Sequence, residues 1–160
     1  MPAGFSVLVD GYNYFECPRW HDGRLWLSDF YSHQVIRVGL DGQAEKVADV
    51  PQQPSGLGWL PDGRLLIVSM RDRRLLRREA DGRLVEHADL SGIAAGHLND
   101  MVVDAQGRAY VGNFGFDLMG GGAPATAVLA RVDAFDIAAD GSLGPRRDWA
   151  RFGDPPPLGD

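Results

Sequence analysis

The chain has 160 residues, a net charge of −6 and a single cysteine, Cys17. That length allows one domain with a real core, and the acidic balance argues against a nucleic-acid-binding surface while suiting a cation. No intrachain disulfide can form, no apolar run reaches membrane-spanning length, and Met1 to Asp10 lacks the basic flank and long apolar stretch of a secretory leader, so a soluble cytoplasmic protein is expected.

The elements repeat in chain order. An inner-strand candidate ending Glu16-Cys17-Pro18-Arg19-Trp20 leads into the turn His21-Asp22-Gly23-Arg24-Leu25. Short strands follow at Leu25–Ser28, Val35–Val38 and Ala44–Ala48, with a second turn at Leu40-Asp41-Gly42. The next unit repeats them as Pro61-Asp62-Gly63-Arg64-Leu65, then Leu65–Val68, Leu75–Arg78 and Leu84–Ala88, with Ala80-Asp81-Gly82 between the last two. A third unit opens with Ala105-Gln106-Gly107-Arg108-Ala109 and the strand Ala109–Gly112. Gly23, Gly63 and Gly107 stand 40 and 44 residues apart. Asp-Gly between apolar runs marks a tight hairpin, because Gly accepts positive φ cheaply. Two hairpins per ~40–45 residues is the pattern of a four-stranded propeller blade. A β-sandwich also has short, closely spaced strands, but the fixed long period favours the propeller.

The expected fold is therefore all-β, an incomplete propeller arc of about three blades forming a single domain over 1–160. The units are expected at about 13–53, 54–96 and 97–133, with a partial unit at 134–154. A closed ring of at least four blades would need roughly 160–180 residues or more.

Aligning the inner strands on Trp20, Trp59 and Val103 puts Glu16, Ser55 and Asn99 at equivalent positions. Rotation about a propeller axis carries one equivalent position onto the next, so these side chains are expected to converge at the channel. A carboxylate and a carboxamide oxygen are hard ligands of the kind that hold Ca²⁺. The alternative is that Glu16 pairs with an arginine and Asn99 caps a turn. His97, two residues before Asn99, would point the same way in an extended strand and could bind or exchange a proton with a substrate. Asp100 would face the other way unless a bulge re-aims it.

Asn113 to Pro124 is Gly-rich and partly aromatic, a loop expected over 115–126, read either as a flap over the channel or as an insertion. The basic run from Met70 to Arg78 reads as a solvated hairpin. Cys17 with His21 or His33 makes no zinc spacing, and there is no Gly-x-Ser-x-Gly nucleophile elbow.

Phe15-Glu16-Cys17-Pro18-Arg19-Trp20-His21-Asp22-Gly23-Arg24-Leu25-Trp26 resembles the opening of the gluconolactonase-like family, which includes regucalcin (senescence marker protein) and luciferin-regenerating enzyme. His97 to Asp104 and Gly107 to Gly115 resemble its third blade. The resemblance implies a six-bladed propeller with one divalent metal, Ca²⁺ or Zn²⁺, in the channel, hydrolysing sugar-acid lactones or related esters. It implies Glu16 and Asn99 as metal ligands, Asn99 also as a substrate-binding residue, and Asp100 as a catalytic group; His97, from its place two residues before Asn99, is expected as a further substrate-binding and catalytic residue. His97 stands where the animal lactonases carry a substrate-binding Arg.

A later Asn and a later Asp of the family have no match in this chain. Leu129–Val132 and Ala134–Ile137 both read as a third strand, which suggests that about 35 residues are absent between them at a period of ~40; the alternative is that Leu129 to Ile137 is one long strand and the tail packs differently. The expectation is a truncated, internally shortened hydrolase of impaired activity, with exposed blade edges that could self-associate. The competing expectation is a non-catalytic propeller-repeat fragment that binds a partner or a second copy. The expected partner of the enzyme is a small lactone or ester, with neither nucleic acid nor membrane involved.

Overall fold

The computed structural model describes residues 4–116 and 131–151. These hold three four-stranded antiparallel sheets. The first contains β1 (Phe15–His21), β2 (Arg24–Asp29), β3 (Gln34–Val38) and β4 (Ala44–Asp49). The second contains β5 (Pro54–Trp59), β6 (Leu65–Ser69), β7 (Arg74–Arg78) and β8 (Leu84–Asp89). The third contains β9 (Leu98–Val103), β10 (Arg108–Asn113), β11 (Arg131–Asp136) and β12 (Arg147–Arg151). Each sheet is a meander in sequence order, and of the first strands β5 meets both β1 and β9 along the inner side. This is an all-β propeller arc of three blades.

The turn chemistry sets the hairpins. Asp22 and Gly23 both have positive φ, 48° and 69°, so the two-residue connection between His21 and Arg24 is of the primed type that matches strand twist. The later turns use a different lock. Asp62 Oδ1 accepts the Arg64 N–H at 3.0 Å, and Asp81 and Asp140 repeat the bond to Arg83 and Ser142. A side-chain oxygen closing back on the chain two residues on fixes the turn before any tertiary contact forms.

The core lies between blades. Trp26 and Val35 of the first blade pack with Leu57, Leu65 and Ile67 of the second. Leu66, Val68 and Leu75 of the second pack with Leu98, Met101 and Val111 of the third. Val35, Leu57, Leu66, Ile67, Val68 and Leu75 are fully buried, each stabilising by about 1.5–3 kcal/mol relative to exposure. Polar clamps accompany the packing: Ser28 Oγ donates to the Ser55 carbonyl at 2.6 Å, and Arg78 Nε donates to the Val47 carbonyl at 3.1 Å. Gly56 is required where β5 meets β9, because a Cβ there would collide with the Met101 backbone.

The third blade corrects one expectation. Arg131–Asp136 is a single strand paired without interruption to β10, from Arg108↔Asp136 to Gly112↔Val132. The described parts of the two third-strand candidates, Arg131–Val132 and Ala134–Asp136, thus lie in one strand, and β12 supplies its fourth-strand partner. Ala134 lies inside β11, so no new strand begins there. Two overlapping apolar patterns imitate two strands in the sequence, but the continuous ladder permits one. Phe114 packs against the core and meets Phe116 edge-on, whereas the rest of the loop expected over 115–126 lies outside the described residues. No helix among the described residues is long and apolar enough to cross a membrane.

Candidate metal and substrate site

Each inner strand carries a bulge at the same level. In β1, Glu16 pairs with Ser28 and Arg19 with Trp26, leaving Cys17 and Pro18 opposite one residue. In β5 the pairs Pro54↔Ser69 and Leu57↔Ile67 leave Ser55 and Gly56 in that position. In β9 the pairs Leu98↔Asn113 and Met101↔Val111 leave Asn99 and Asp100 there. A bulge inserts one residue and turns neighbouring side chains off the strict alternation. Cys17 accordingly takes φ 52°.

The convergence expected from the repeat is present. Ser55 is fully buried, and its Oγ lies 3.2 Å from Glu16 Oε2 and 3.2 Å from Asn99 Oδ1. Three blades therefore deliver a carboxylate, a hydroxyl and a carboxamide to one point. A hydroxyl has one proton to give, so it cannot fully serve two acceptors. The cluster is rich in oxygen and short of positive charge. Burial holds the Glu16 carboxyl above the usual carboxylate range, the Ser55 hydrogen bond works against the rise, and the charge of Asp100 adds to it.

Asp100 is brought to this side by the bulge in β9. Its Oδ1 accepts Arg19 Nη2 at 2.5 Å and the Met101 N–H at 2.7 Å. Arg19 Nη2 also donates to the Met101 carbonyl at 2.7 Å, so the first and third blades are tied directly across the arc. The arginine alternative considered for Glu16 is thus realised at Asp100. Cys17 Sγ lies 3.7 Å from Ser55 Oγ, and burial, aided by Asp100, pushes its thiol up to about 12. It is a neutral thiol at neutral pH, neither an activated nucleophile nor a ready thiolate ligand.

Among the described residues no group of three or more His, Cys, Asp or Glu side chains could hold a metal ion. The donors of the cluster are of another kind: one carboxylate, one carboxamide and one hydroxyl, all oxygen. That set fits one flank of a hard-cation site, where six to eight oxygens are the full complement for Ca²⁺.

His97 lies elsewhere. With Arg71, Arg73, Ala95 and Gly96 it lines a cavity of about 230 Å³, which no residue of the Glu16 cluster lines. The structure thus joins Glu16, Ser55 and Asn99, adds Asp100 through Arg19, and sets His97 in a cavity that Glu16, Ser55 and Asn99 do not line. The sequence reading omitted Arg19 and Cys17 as site residues. Their signal was present, since both belong to the same short inner-strand string as Glu16.

Comparison with known proteins extends these findings. Residues 15–137 match the SMP-30/gluconolactonase/LRE-like region. No curated protein sequence matches the chain. A gluconolactonase from Xanthomonas campestris superposes with a TM-score of 0.72 at 22% identity, over 91% of this chain and 50% of that one. Regucalcin from Agrobacterium tumefaciens, described as a calcium-binding protein, gives 0.57 at 24% identity over 82% and 44%. A chain of a nidogen/laminin complex gives 0.63 at 14% identity over 87% and 49%. These likenesses show the propeller fold, and this chain spans about half the length of the gluconolactonase it matches. The family match over residues 15–137, laid on three consecutive blades whose inner strands converge, places the chain in the SMP-30/gluconolactonase/LRE-like family.

Proposed function

We propose that this chain supplies three blades, and one flank of the metal site, of a divalent-cation-dependent hydrolase of lactones or related esters. The observation that carries the reading is the meeting of Glu16 Oε2 and Asn99 Oδ1 on one buried hydroxyl, with the Glu16 carboxyl raised by burial. A carboxylate in that setting is stabilised by a cation. The all-oxygen donors favour Ca²⁺ over Zn²⁺.

In this reading Glu16 anchors the ion with its charge and Asn99 presents its carbonyl oxygen, while the Ser55 hydroxyl keeps both side chains aimed inward. The cation supplies Lewis acidity to the lactone carbonyl and lowers the pKa of a bound water. Asp100, with Oδ1 fixed by Arg19 and the Met101 N–H, is positioned to accept a proton without swinging away. The single buried thiol suits a reducing, cytoplasmic setting.

Calorimetric titration with Ca²⁺ and with Zn²⁺ tests this on the wild-type chain and on Glu16→Gln. Ca²⁺ should bind the wild type at least about tenfold more tightly than the variant, since the variant loses the only charged ligand. Equal binding by both proteins, or binding by neither, removes the metal-site reading.

A second reading rests on a different observation. Trp20 is 58% exposed at the position where Trp59 packs between the first two blades, against His21 and Trp26. The same fold occurs in a nidogen/laminin complex. A non-catalytic, self-associating module would cover Trp20 with a second copy. Light scattering separates the two: a dimer dispersed by Trp20→Ser supports this reading, and a monomer at all concentrations rejects it.

A further inference from the structure

The basic run around β7 is mostly consumed by ion pairs. Arg74 holds Glu86 at 2.6 Å and Asp89 at 3.2 Å, with Asp72 at 3.6 Å. Arg77 holds Glu79 at 2.5 Å, and Arg78 is spent on the Val47 carbonyl. Arg71 and Arg73 are different. Arg71 Nε donates to the carboxamide of buried Gln53 at 2.6 Å, and Arg73 Nη1 donates to the Ala94 carbonyl at 3.1 Å. Both partners are neutral, and among the described residues neither guanidinium forms an ion pair. The Asp89 carboxylate is already engaged by Arg74 and the Ser91 N–H.

These two guanidinium groups share the cavity of about 230 Å³ with His97. One hydrogen bond per arginine to a neutral acceptor orients the group without cancelling its charge, and leaves further N–H donors for a ligand. Two residues of extended chain span about 7 Å at most, so His97 is held within that reach of Asn99.

We propose that Arg71, Arg73 and His97 form an oxyanion subsite that binds a carboxylate or phosphate group carried by the ligand at the end remote from Asn99. As a substrate subsite it rests on the hydrolase reading; as an anion site it stands on the cavity alone. It narrows the substrate class to lactones or esters bearing a second, anionic substituent.

The test is calorimetry on the whole chain in EDTA, so that the Glu16 cluster holds no metal. D-gluconate and inorganic phosphate serve as oxyanion probes, and sorbitol as the uncharged polyol. At least one oxyanion should bind the wild type, and which one tells a carboxylate ligand from a phosphate ligand. Arg71→Gln and Arg73→Gln should each weaken that binding at least about tenfold. Sorbitol should give no heat, and Glu16→Gln should bind the oxyanion as the wild type does. Circular dichroism confirms the fold of each variant, and if Arg73→Gln does not fold, Arg71→Gln and His97→Gln carry the test. The proposal is overturned if neither oxyanion binds, if sorbitol binds equally well, or if the arginine variants bind unchanged. Binding lost in Glu16→Gln but kept in Arg71→Gln would overturn it while leaving the metal-site reading standing.

Discussion

Charge is treated in opposite ways at the axis and at the rim of the arc. At the rim many carboxylates have a guanidinium beside them: Glu45 has Arg37, Asp62 and Glu79 have Arg64, Asp81 has Arg83, and Asp104 has Arg108. There the Asp81 and Glu79 carboxyls are held below their ordinary values, by the hydrogen bonds from Arg83 and Arg77 first. At the axis Glu16 has a shared hydroxyl in place of a cation, and its carboxyl is raised. Rim acids complete hairpins and are satisfied by the chain itself. Among the described residues the axial Glu16 forms no ion pair, as the proposed metal site requires.

The largest test of that contrast removes the axial hydroxyl. Ser55→Ala leaves the Glu16 and Asn99 oxygens facing one another without a donor, and should cost about 1–3 kcal/mol in urea unfolding. An unchanged midpoint would show that the hydroxyl does not hold the two blades' oxygens together.

A middle-sized effect belongs to His87 on β8. Burial first, then the Arg77 and Arg64 guanidinium groups, hold its imidazole below the ordinary 6.5. The unfolded chain therefore takes up a proton at a higher pH than the fold does. The stability this group contributes is present above about pH 6.5 and is lost as the pH falls through the folded value. His87→Gln should flatten the fall in Tm between about pH 7 and pH 5. The same slope in the variant would place the acid sensitivity in another group.

The smallest effect is expected at the outermost pair. Arg83 and Asp81 are 70% and 54% exposed, so solvent screens their 2.6 Å contact. Arg83→Ala should leave the urea midpoint where it is. A clear loss would mean that rim pairs carry stability, and the contrast with the axis would then need redrawing.

The repeat made much of this legible. Turns at a regular interval fixed where chain reversals fall, and with them the three inner strands and the equivalence of Glu16, Ser55 and Asn99. Equivalence under rotation is a property of order along the chain, so it survives without coordinates. The fate of Asp100 was not legible. Alternation along a strand sends it away from Asn99, and a bulge that depends on the register with β10 brings it back. Nor was the company of His97 legible: its carbonyl accepts the Phe114 N–H at 2.9 Å, and it shares a cavity with Arg71 and Arg73 that Glu16, Ser55 and Asn99 do not line.

The amino-acid order alone therefore determined the class of fold, the number of blades and the acid and amide directed at the axis, because short-range turn chemistry and periodicity are written locally. The tertiary structure alone decided that Arg19 spans the arc to Asp100, that Arg71, Arg73 and His97 share one cavity, and that Arg131–Asp136 is one strand. Each depends on a distance between segments far apart in sequence, and packing and ladder register set such distances.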